Sequence, residues 1–579
     1  MLVNIISKEQ TGGLPGRQMT ESLTGLRNLL LQISVETKTP GAIPPRAAVI
    51  GLDFAGAYDR VDRGFLYKAM ECFGFPAATI RWIQTLYETS VGRVILNGTA
   101  GKPIYFERGI KQGCPLAMLL YIIYIEPLLL KFKKELSGVR IPDHPLKVGG
   151  HVDDQFLFVK NDDDIRRLWC IVETFENCTN ALINRQKTRL LGLGAWKERK
   201  RWPLEWLTSS PNIKVLGIVF CPTIQETIAL NMKLLQTKVR RSLWGASNRK
   251  LTVLQKVQFF NMYIVPKFIH LAKVFPLPKR MLNDMQRACS KFIWRSRLER
   301  LALEQSYPKL TEGGLGLVSL EQKCRALFSA TLIKQFLGES SGTSFLDYWV
   351  GVALNRVKPV TWGNLHARET LAFFQTTVHC ILNVFTNNPD IPFNDLNSKT
   401  LYKVFISENT VIPKIFTNNR LPNPKLSLSY LVSPVINPPT KEHLFFTLHN
   451  LLLTRAKKKR FKLSDDDTCT HCNISPEDIF HIFNCTASQP AVKWIRRKVE
   501  KIDRALSKES TFSLFTLNFN IVDTRMKWTI VWLLVNFNNA IWESRKEPSG
   551  NIRHILADMN RKINHLKKTE LYSNCFYQL

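Results

Sequence analysis

Apolar residues fall into two rhythms along this chain, and the change between them lays out its architecture. Residues 47–54 are apolar almost without interruption up to Asp53, the pattern of a short strand buried in a sheet. Phe65, Leu66, Ala69, Met70 and Phe73 then recur at helical spacing, with Gly74 past the end. Pro76 opens a further helix that turns Ile80, Ile83, Leu86 and Tyr87 inward. Residues 91–96 and 103–106, on either side of Asn97-Gly98, predict a hairpin with a longer loop. Residues 115–134 read as an apolar helix bent at Pro127. Residues 147–160 read as strand, tight acidic turn and strand, 163–178 as a helix, and 214–220 as a further strand. Residues 1–45 are rich in Gly and Pro and read as loops around one helical stretch at 21–31. Beyond about residue 225 the pattern is mostly helical, with Pro-marked loops near 357–363 and 411–440.

Composition narrows the class. A length of 579 residues suggests about three to five domains. With 45% hydrophobic and 22% charged residues the chain has an ordinary globular balance. Its charge is not ordinary: 80 Lys plus Arg against 47 Asp plus Glu give +33, so a polyanionic partner is expected. The first residues lack a basic segment followed by an apolar run, so a secreted protein is not expected. The apolar runs at 116–125 and 528–535 are too short to span a bilayer. Cysteines 72, 114, 170, 178, 221, 289, 324, 380 and 575 lack framework spacing and read as small buried hydrophobes of a reducing compartment.

Three groups of residues carry candidate chemistry. Asp53, Asp153 and Asp154 sit at a strand end and at a strand-to-strand turn, in apolar surroundings. Carboxylates there must be solvated, hydrogen-bonded or metal-bound, and two strands can present them together to hard divalent cations. Taken alone, an Asp-Asp pair reads as a plain turn. The series Cys469-x2-Cys472-x8-His481-x3-Cys485 has the donors and spacing of a tetrahedral zinc site, with His471 as a competing ligand. Arg455, Lys457, Lys458, Lys459, Arg460 and Lys462 form a dense basic run, either a solvated face or a phosphate-binding one. Trp196 and Trp202, interleaved with Lys197, Arg199, Lys200 and Arg201, suit base stacking or inward packing. Gly313-Gly314-Leu315-Gly316 lacks the lysine of a phosphate loop and reads as a turn.

Five segments in order, LDFAGAYDRVDRGFL (52–66), RGIKQGCPL (108–116), HVDDQFLF (151–158), INRQKT (183–188) and KVLGIVF (214–220), resemble the palm motifs of reverse transcriptases of non-LTR (LINE-like) retrotransposons. QTGGLPGR (10–17) and YPKLTEGGLGL (307–317) resemble segments before the palm and after the thumb. The resemblance implies an α+β fold: a polymerase palm of the right-hand type, partial fingers, a helical thumb and a mostly helical C-terminal region with a zinc knuckle. The implied boundaries are 1–45 for the fingers remnant, 46–222 for the palm, 223–340 for the thumb and following segment, 341–465 for a connecting region, 466–490 for the knuckle and 491–579 for the C-terminal helices. The implied activity is RNA-directed DNA synthesis during target-primed insertion, within a nuclear or cytoplasmic ribonucleoprotein. RNA template, DNA primer or target and deoxynucleoside triphosphates would be its partners. A chain that only binds RNA or DNA is the alternative.

Residue by residue, the resemblance makes Asp53, Asp153 and Asp154 ligands of two Mg2+ ions, with the Phe54 carbonyl beside them. Tyr58 becomes a gate against a 2′-hydroxyl, or else a core aromatic. Gln112 and Gly113 would lie under nucleotide and template, and Leu216-Gly217 would form the primer-grip turn. Lys187 would protonate pyrophosphate, or else be a solvated lysine. Cys469, Cys472, His481 and Cys485 would hold structural Zn2+. The sequence departs from the pattern at His151-Val152, where an aromatic and an alanine are usual, at Ala117-Met118, at Gly13 and at Ala181. The paired basic fingers residues and the endonuclease of the family have no counterpart in this reading.

Overall fold

The computed structural model describes residues 2–41, 43–141, 144–296, 299–338, 343–354, 370–409, 411–417, 421–545, 552–569 and 576. The loop near 357–363 and Cys575 lie outside them. The chain divides into two compact units. One comprises Met1–Lys238, Lys267–Pro278 and Cys324–Tyr402, the other Val239–Pro266, Lys279–Lys323 and Lys403–Leu579.

Ten short strands lie in the first unit: β1 (Arg46–Leu52), β2 (Val91–Leu96), β3 (Thr99–Tyr105), β4 (Val139–Ile141), β5 (His144–Leu146), β6 (Val148–His151), β7 (Asp154–Val159), β8 (Arg189–Gly194), β9 (Ile213–Val215) and β10 (Ile218–Phe220). Four of them make the central antiparallel sheet, in the order β6-β7-β1-β8. β1 is central because both of its faces are apolar, and Ala47, Ala48, Val49 and Ile50 are buried. Ala48, Ile50 and Leu52 share a core with the helices Arg63–Cys72, Ala117–Glu135 and Asp162–Thr179. The helix Met19–Lys38 packs on β6 and β8. The N-terminal segment is therefore not loop-rich, as its Gly and Pro content suggests; it is dominated by a helix of 20 residues.

Other expectations need correction. Residues 214–220 are two strands, not one, folded back at Leu216-Gly217. The hairpin β2–β3 has no longer loop: Asn97 (φ 49°) and Gly98 (φ 83°) form a two-residue turn whose left-handed geometry suits the strand twist. Val94, Ile95, Leu96 and Tyr105 on this hairpin are all exposed. The left-handed helix cap that Ala181 could not supply is Asn180, at φ 54°. The apolar helix runs through Pro127 to Glu135, and Glu126 is fully buried within it. Its carboxylate accepts bonds from the Ser7 N–H (2.8 Å) and hydroxyl, and desolvation pushes it up to about 7.

The second unit is helical, and its long helix Thr524–Ser544 packs against Gln489–Ile502, Pro438–Leu448 and Ile552–Lys567.

The N-terminal segment sets the turn that carries the acidic pair. His151 and Asp154 pair across β6 and β7, so Val152 and Asp153 make the turn, with Val152 at φ 59°. That conformation is costly for a β-branched residue. Gln10, completely buried, grips Val152 at both backbone groups: Oε1 accepts from its N–H (2.8 Å) and Nε2 donates to its carbonyl (3.2 Å). Gly12 lies so close that an added Cβ would stand 2.4 Å from Val152 Cγ2 and 2.8 Å from its nitrogen. Gly12→Ala is expected to destabilise the first unit by about 1–3 kcal/mol through overpacking. Thermal melting measures it, and an unchanged transition would mean that the turn has slack.

Candidate active site

The register of the central sheet brings the acidic residues together. Leu52 lies opposite Gln155, so continuing the ladder by one residue sets Asp53 opposite Asp154, beside the turn that carries Asp153. The Asp154 carboxyl is held above the ordinary range by desolvation, then by the charges of Asp153 and Asp53; Lys214 on β9 opposes them. Asp153 and Asp154 are solvent-exposed rather than enclosed in apolar surroundings. Even so, desolvation is the larger part of the cost at Asp154, and repulsion between the like charges adds to it.

The end of β1 is fixed from the other side. The Asn184 N–H donates to the Asp53 carbonyl (2.7 Å), the Ala55 N–H to that of Leu182 (2.8 Å), and the Asp53 N–H to Thr188 Oγ1 (3.5 Å). Phe54 and Ile183 are thus a narrow antiparallel pair. In such a pair each residue directs its own N–H and C=O away from the partner strand. The Phe54 carbonyl accordingly faces the β7 side, where Asp153 and Asp154 lie.

Neighbouring groups fall out as follows. Tyr58, half-buried, stacks on the buried ring of Tyr121 (centroids 5.0 Å apart, planes 13°). Burial, then Asp153, pushes both phenols up, so each stays a neutral hydroxyl. Tyr58 is both a core aromatic and a neighbour of the acidic centre. Gln112 is exposed and donates to Asp59 Oδ1 at 3.2 Å. Gly113 faces open space, so its φ of 81°, not crowding, calls for glycine. Lys187 is exposed in a turn rather than at a helix end, its N–H bonded to Asn184 Oδ1 (3.1 Å). His151 Nδ1 lies 3.1 Å from Thr11 Oγ1, and desolvation lowers its pKa despite Asp153.

Leu216 (φ 46°) and Gly217 (φ 86°) form the two-residue turn of β9–β10. The hairpin is seated against β1: a Cβ on Gly51 would come within 2.9 Å of Ile213 Cδ1. Sequence reading missed Gln10, Lys214 and Thr188. Only the QTGG segment hinted at the first; the other two emerge from long-range pairing.

In the second unit Cys469, Cys472, His481 and Cys485 bring their ligand atoms within 4.8 Å of one another. The Cys469 and Cys485 sulfurs stand 3.8 Å apart, and Cys472 Sγ lies 3.3 Å from His481 Nε2. Sulfurs bound at ~2.3 Å to one tetrahedral centre are about 3.8 Å apart, so the donor set fits a metal. Burial pushes the Cys472 thiol up, but the N–H groups of Ser475 and Ile474, with Cys469 and His481, bring it down to about 6. Burial and the neighbouring sulfurs push Cys485 up to about 11. The competing ligand is excluded from the group: His471 Nε2 sits 3.5 Å from Ser544 Oγ. Arg545, buried at the end of the helix Thr524–Ser544, donates to both Cys469 Sγ and Glu477 Oε2, each at 3.0 Å.

The basic run is divided. Arg455 pairs with Asp466 (2.6 Å), Lys459 with Asp467 (3.0 Å), and Lys457 donates to the Asn450 carbonyl. Lys458, Arg460 and Lys462 are exposed. Trp196 and Trp202 do not offer stacking faces: both are buried and meet edge-to-face at 5.3 Å, with Arg199 against both rings and its guanidinium bound to Asp162 at 2.7 and 2.9 Å.

Known proteins place this geometry. Residues 1–220 match the family model described as reverse transcriptase (RNA-dependent DNA polymerase). The chain is 26% identical to the transposon TX1 uncharacterized 149 kDa protein of Xenopus laevis over 347 residues, 58% of this chain and 26% of that protein. It is 20% identical to a Pol polyprotein from the type-1 retrotransposable element R2 of Popillia japonica, covering 49% of this chain and 48% of that one. The chain thus spans less than half of each of these relatives. Apo telomerase from Candida tropicalis overlays 60% of this chain and 58% of its own at 11% identity and a TM-score of 0.33, too distant to carry an argument. Residues 1–220 thus match a reverse-transcriptase domain, and about half of the chain is similar to proteins of the non-LTR retrotransposons TX1 and R2.

Proposed function

We propose that this chain is an RNA-directed DNA polymerase that extends a DNA primer on an RNA template during target-primed insertion. The observation that supports this most is the convergence of Asp53, Asp153 and Asp154 at one end of the sheet, where desolvation and then the neighbouring charges raise Asp154. An all-oxygen set of three carboxylates and the Phe54 carbonyl suits a hard divalent cation such as Mg2+. When bound, a pair of such ions clamps the attacking and leaving oxygens of nucleotidyl transfer. The chain's own residues position what reacts. Gln10 fixes the acidic turn, the β9–β10 turn would lie along the primer terminus, Gln112 and Gly113 would underlie nucleotide and template, and Tyr58 would stand beside the sugar. Lys187, free to reach from its turn, would protonate the departing pyrophosphate.

The segment boundaries follow the same reading: palm at 46–222, fingers remnant at 1–45, thumb from 223, and a zinc knuckle at 466–490 within helical flanks. The knuckle would hold Zn2+ through Cys469, Cys472, His481 and Cys485, with Arg545 steadying one thiolate. No described helix is long and apolar enough to cross a membrane, and the protein would work in a nuclear or cytoplasmic ribonucleoprotein.

Primer extension on an RNA template tests the activity. Asp153→Asn should lower the rate by about a hundredfold or more while RNA affinity holds, because only the metal clamp loses a charge. Undiminished extension would sink the assignment. An unmodified chain that binds RNA but never extends a primer would instead be the binding-only protein.

Cys472→Ser should take bound zinc from about one equivalent to none. Through Arg545, the loss should raise hydrogen exchange in the helix Thr524–Ser544 as well as in the knuckle. Metal analysis finding no zinc in the unmodified protein would dispose of this.

Nucleic-acid affinity should fall steeply with salt. Replacing Lys458, Arg460 and Lys462 with Gln should make the log–log slope shallower by roughly 2, at about 0.7–0.9 for each phosphate no longer neutralised. An unchanged slope would mean that these charges are merely solvated.

A further inference from the structure

Among the described residues, two hairpins have two-residue turns in which both residues are left-handed. One uses Asn97-Gly98, the pair this turn favours. The other uses Leu216-Gly217, and leucine is a poor occupant of that region because its Cβ crowds the following carbonyl. Such a turn persists only where its surroundings hold it. The brace is visible. His270, on the helix Pro266–Val274, donates from Nε2 to the Leu216 carbonyl at 2.8 Å. The same ring lies 3.8 Å from where a Gly217 Cβ would be.

The braced turn belongs to the acidic centre. At its base Ile213 packs on Gly51, two residues before Asp53, and Lys214 faces Asp154 with an attractive charge. The strands of the hairpin are held, with β9 and β10 paired over three residues each and Asn231 bonded to both backbone groups of Val219, but these anchors leave the Leu216-Gly217 tip itself to His270. Without that bond the tip can swing while the base stays seated.

We infer that His270 is a positioning residue for the polymerase reaction: it locks the Leu216-Gly217 turn, and so fixes where the primer terminus stands relative to Asp53, Asp153 and Asp154. This inference rests on the polymerase reading above, and it assigns His270 no contact with substrate. Leucine is tolerated at 216 because the histidine supplies the stability that asparagine would supply locally. The imidazole thus frees position 216 to present an apolar side chain to the primer.

The test combines a backbone readout with a functional one. His270→Ala should raise amide exchange at residues 213–220 several-fold, while zinc content and the main melting transition stay unchanged. In extension assays it should lower kcat about five- to tenfold, roughly what one hydrogen bond is worth. The KM for deoxynucleoside triphosphate should hold, since the hairpin base is undisturbed. His270→Gln, which keeps an N–H donor, should recover most of the loss. The His270→Ala penalty should also shrink in a Leu216→Asn background, because asparagine accepts the left-handed turn unaided. Unchanged exchange in His270→Ala overturns the proposal whatever the activity. So does raised exchange with kcat intact, or an equal penalty in both backgrounds. Should the unmodified chain not extend a primer, the polymerase reading fails by itself. His270 is then judged by affinity for a recessed RNA–DNA duplex, and equal affinity of His270→Ala and the unmodified chain overturns its role.

Discussion

Three carboxylates gathered at one end of a sheet repel one another, and much of the first unit is the scaffold that keeps them there. Desolvation, and then that repulsion, hold Asp154 above its ordinary range even with Lys214 nearby. Nothing in the local sequence of a two-residue turn with a left-handed valine favours such a cluster. Stability comes from elsewhere: Gln10 holds the turn, Asn184 and Thr188 hold the end of β1, and buried β1 aligns both. The central strand is therefore apolar for a functional reason. Its burial supplies the rigidity that lets charged groups sit at its exit.

This logic explains what the sequence disclosed and what it hid. Asp53, Asp153 and Asp154 were legible through the ordered motifs around them; an apolar run ending in Asp and an acidic turn, taken alone, imply no meeting point. The Cys469, Cys472, His481 and Cys485 cluster was legible because these residues lie close in sequence at intervals suited to one tetrahedral centre. Gln10 was not, since its partner Val152 lies 142 residues away. His270 is likewise 54 residues from the turn it braces. The tryptophans at 196 and 202 misled because alternation with cations is the same whether the rings face water or close around Arg199. Gly and Pro content misled in the first 45 residues, where apolar burial against β6 and β8 overrides weak local propensity.

The second unit meets an analogous problem with different atoms. Sulfurs drawn together at 3.8 Å repel once ionised, and Arg545 contributes a positive charge from a helix outside the knuckle. That contact is fully desolvated and shared with Glu477, so the guanidinium is directional rather than a diffuse counter-charge. Knuckle and C-terminal helices are on this account one cooperative element, although their sequences look like separate modules.

The hairpin β2–β3 carries a different consequence. Its strands pair only with each other, and Val94, Ile95, Leu96, Ile104 and Tyr105 stand in water. Its outer edges carry unpaired backbone groups beside apolar side chains, but Pro103 removes a donor from β3 and the register is irregular between Arg93 and Ile95, both of which discourage strand addition. Arg93 and Lys102 are the cations that interrupt this surface. A second molecule adding a strand here would meet Pro103 on one edge and irregular register on the other, so exposed apolar side chains rather than a regular backbone ladder set the solubility of this face.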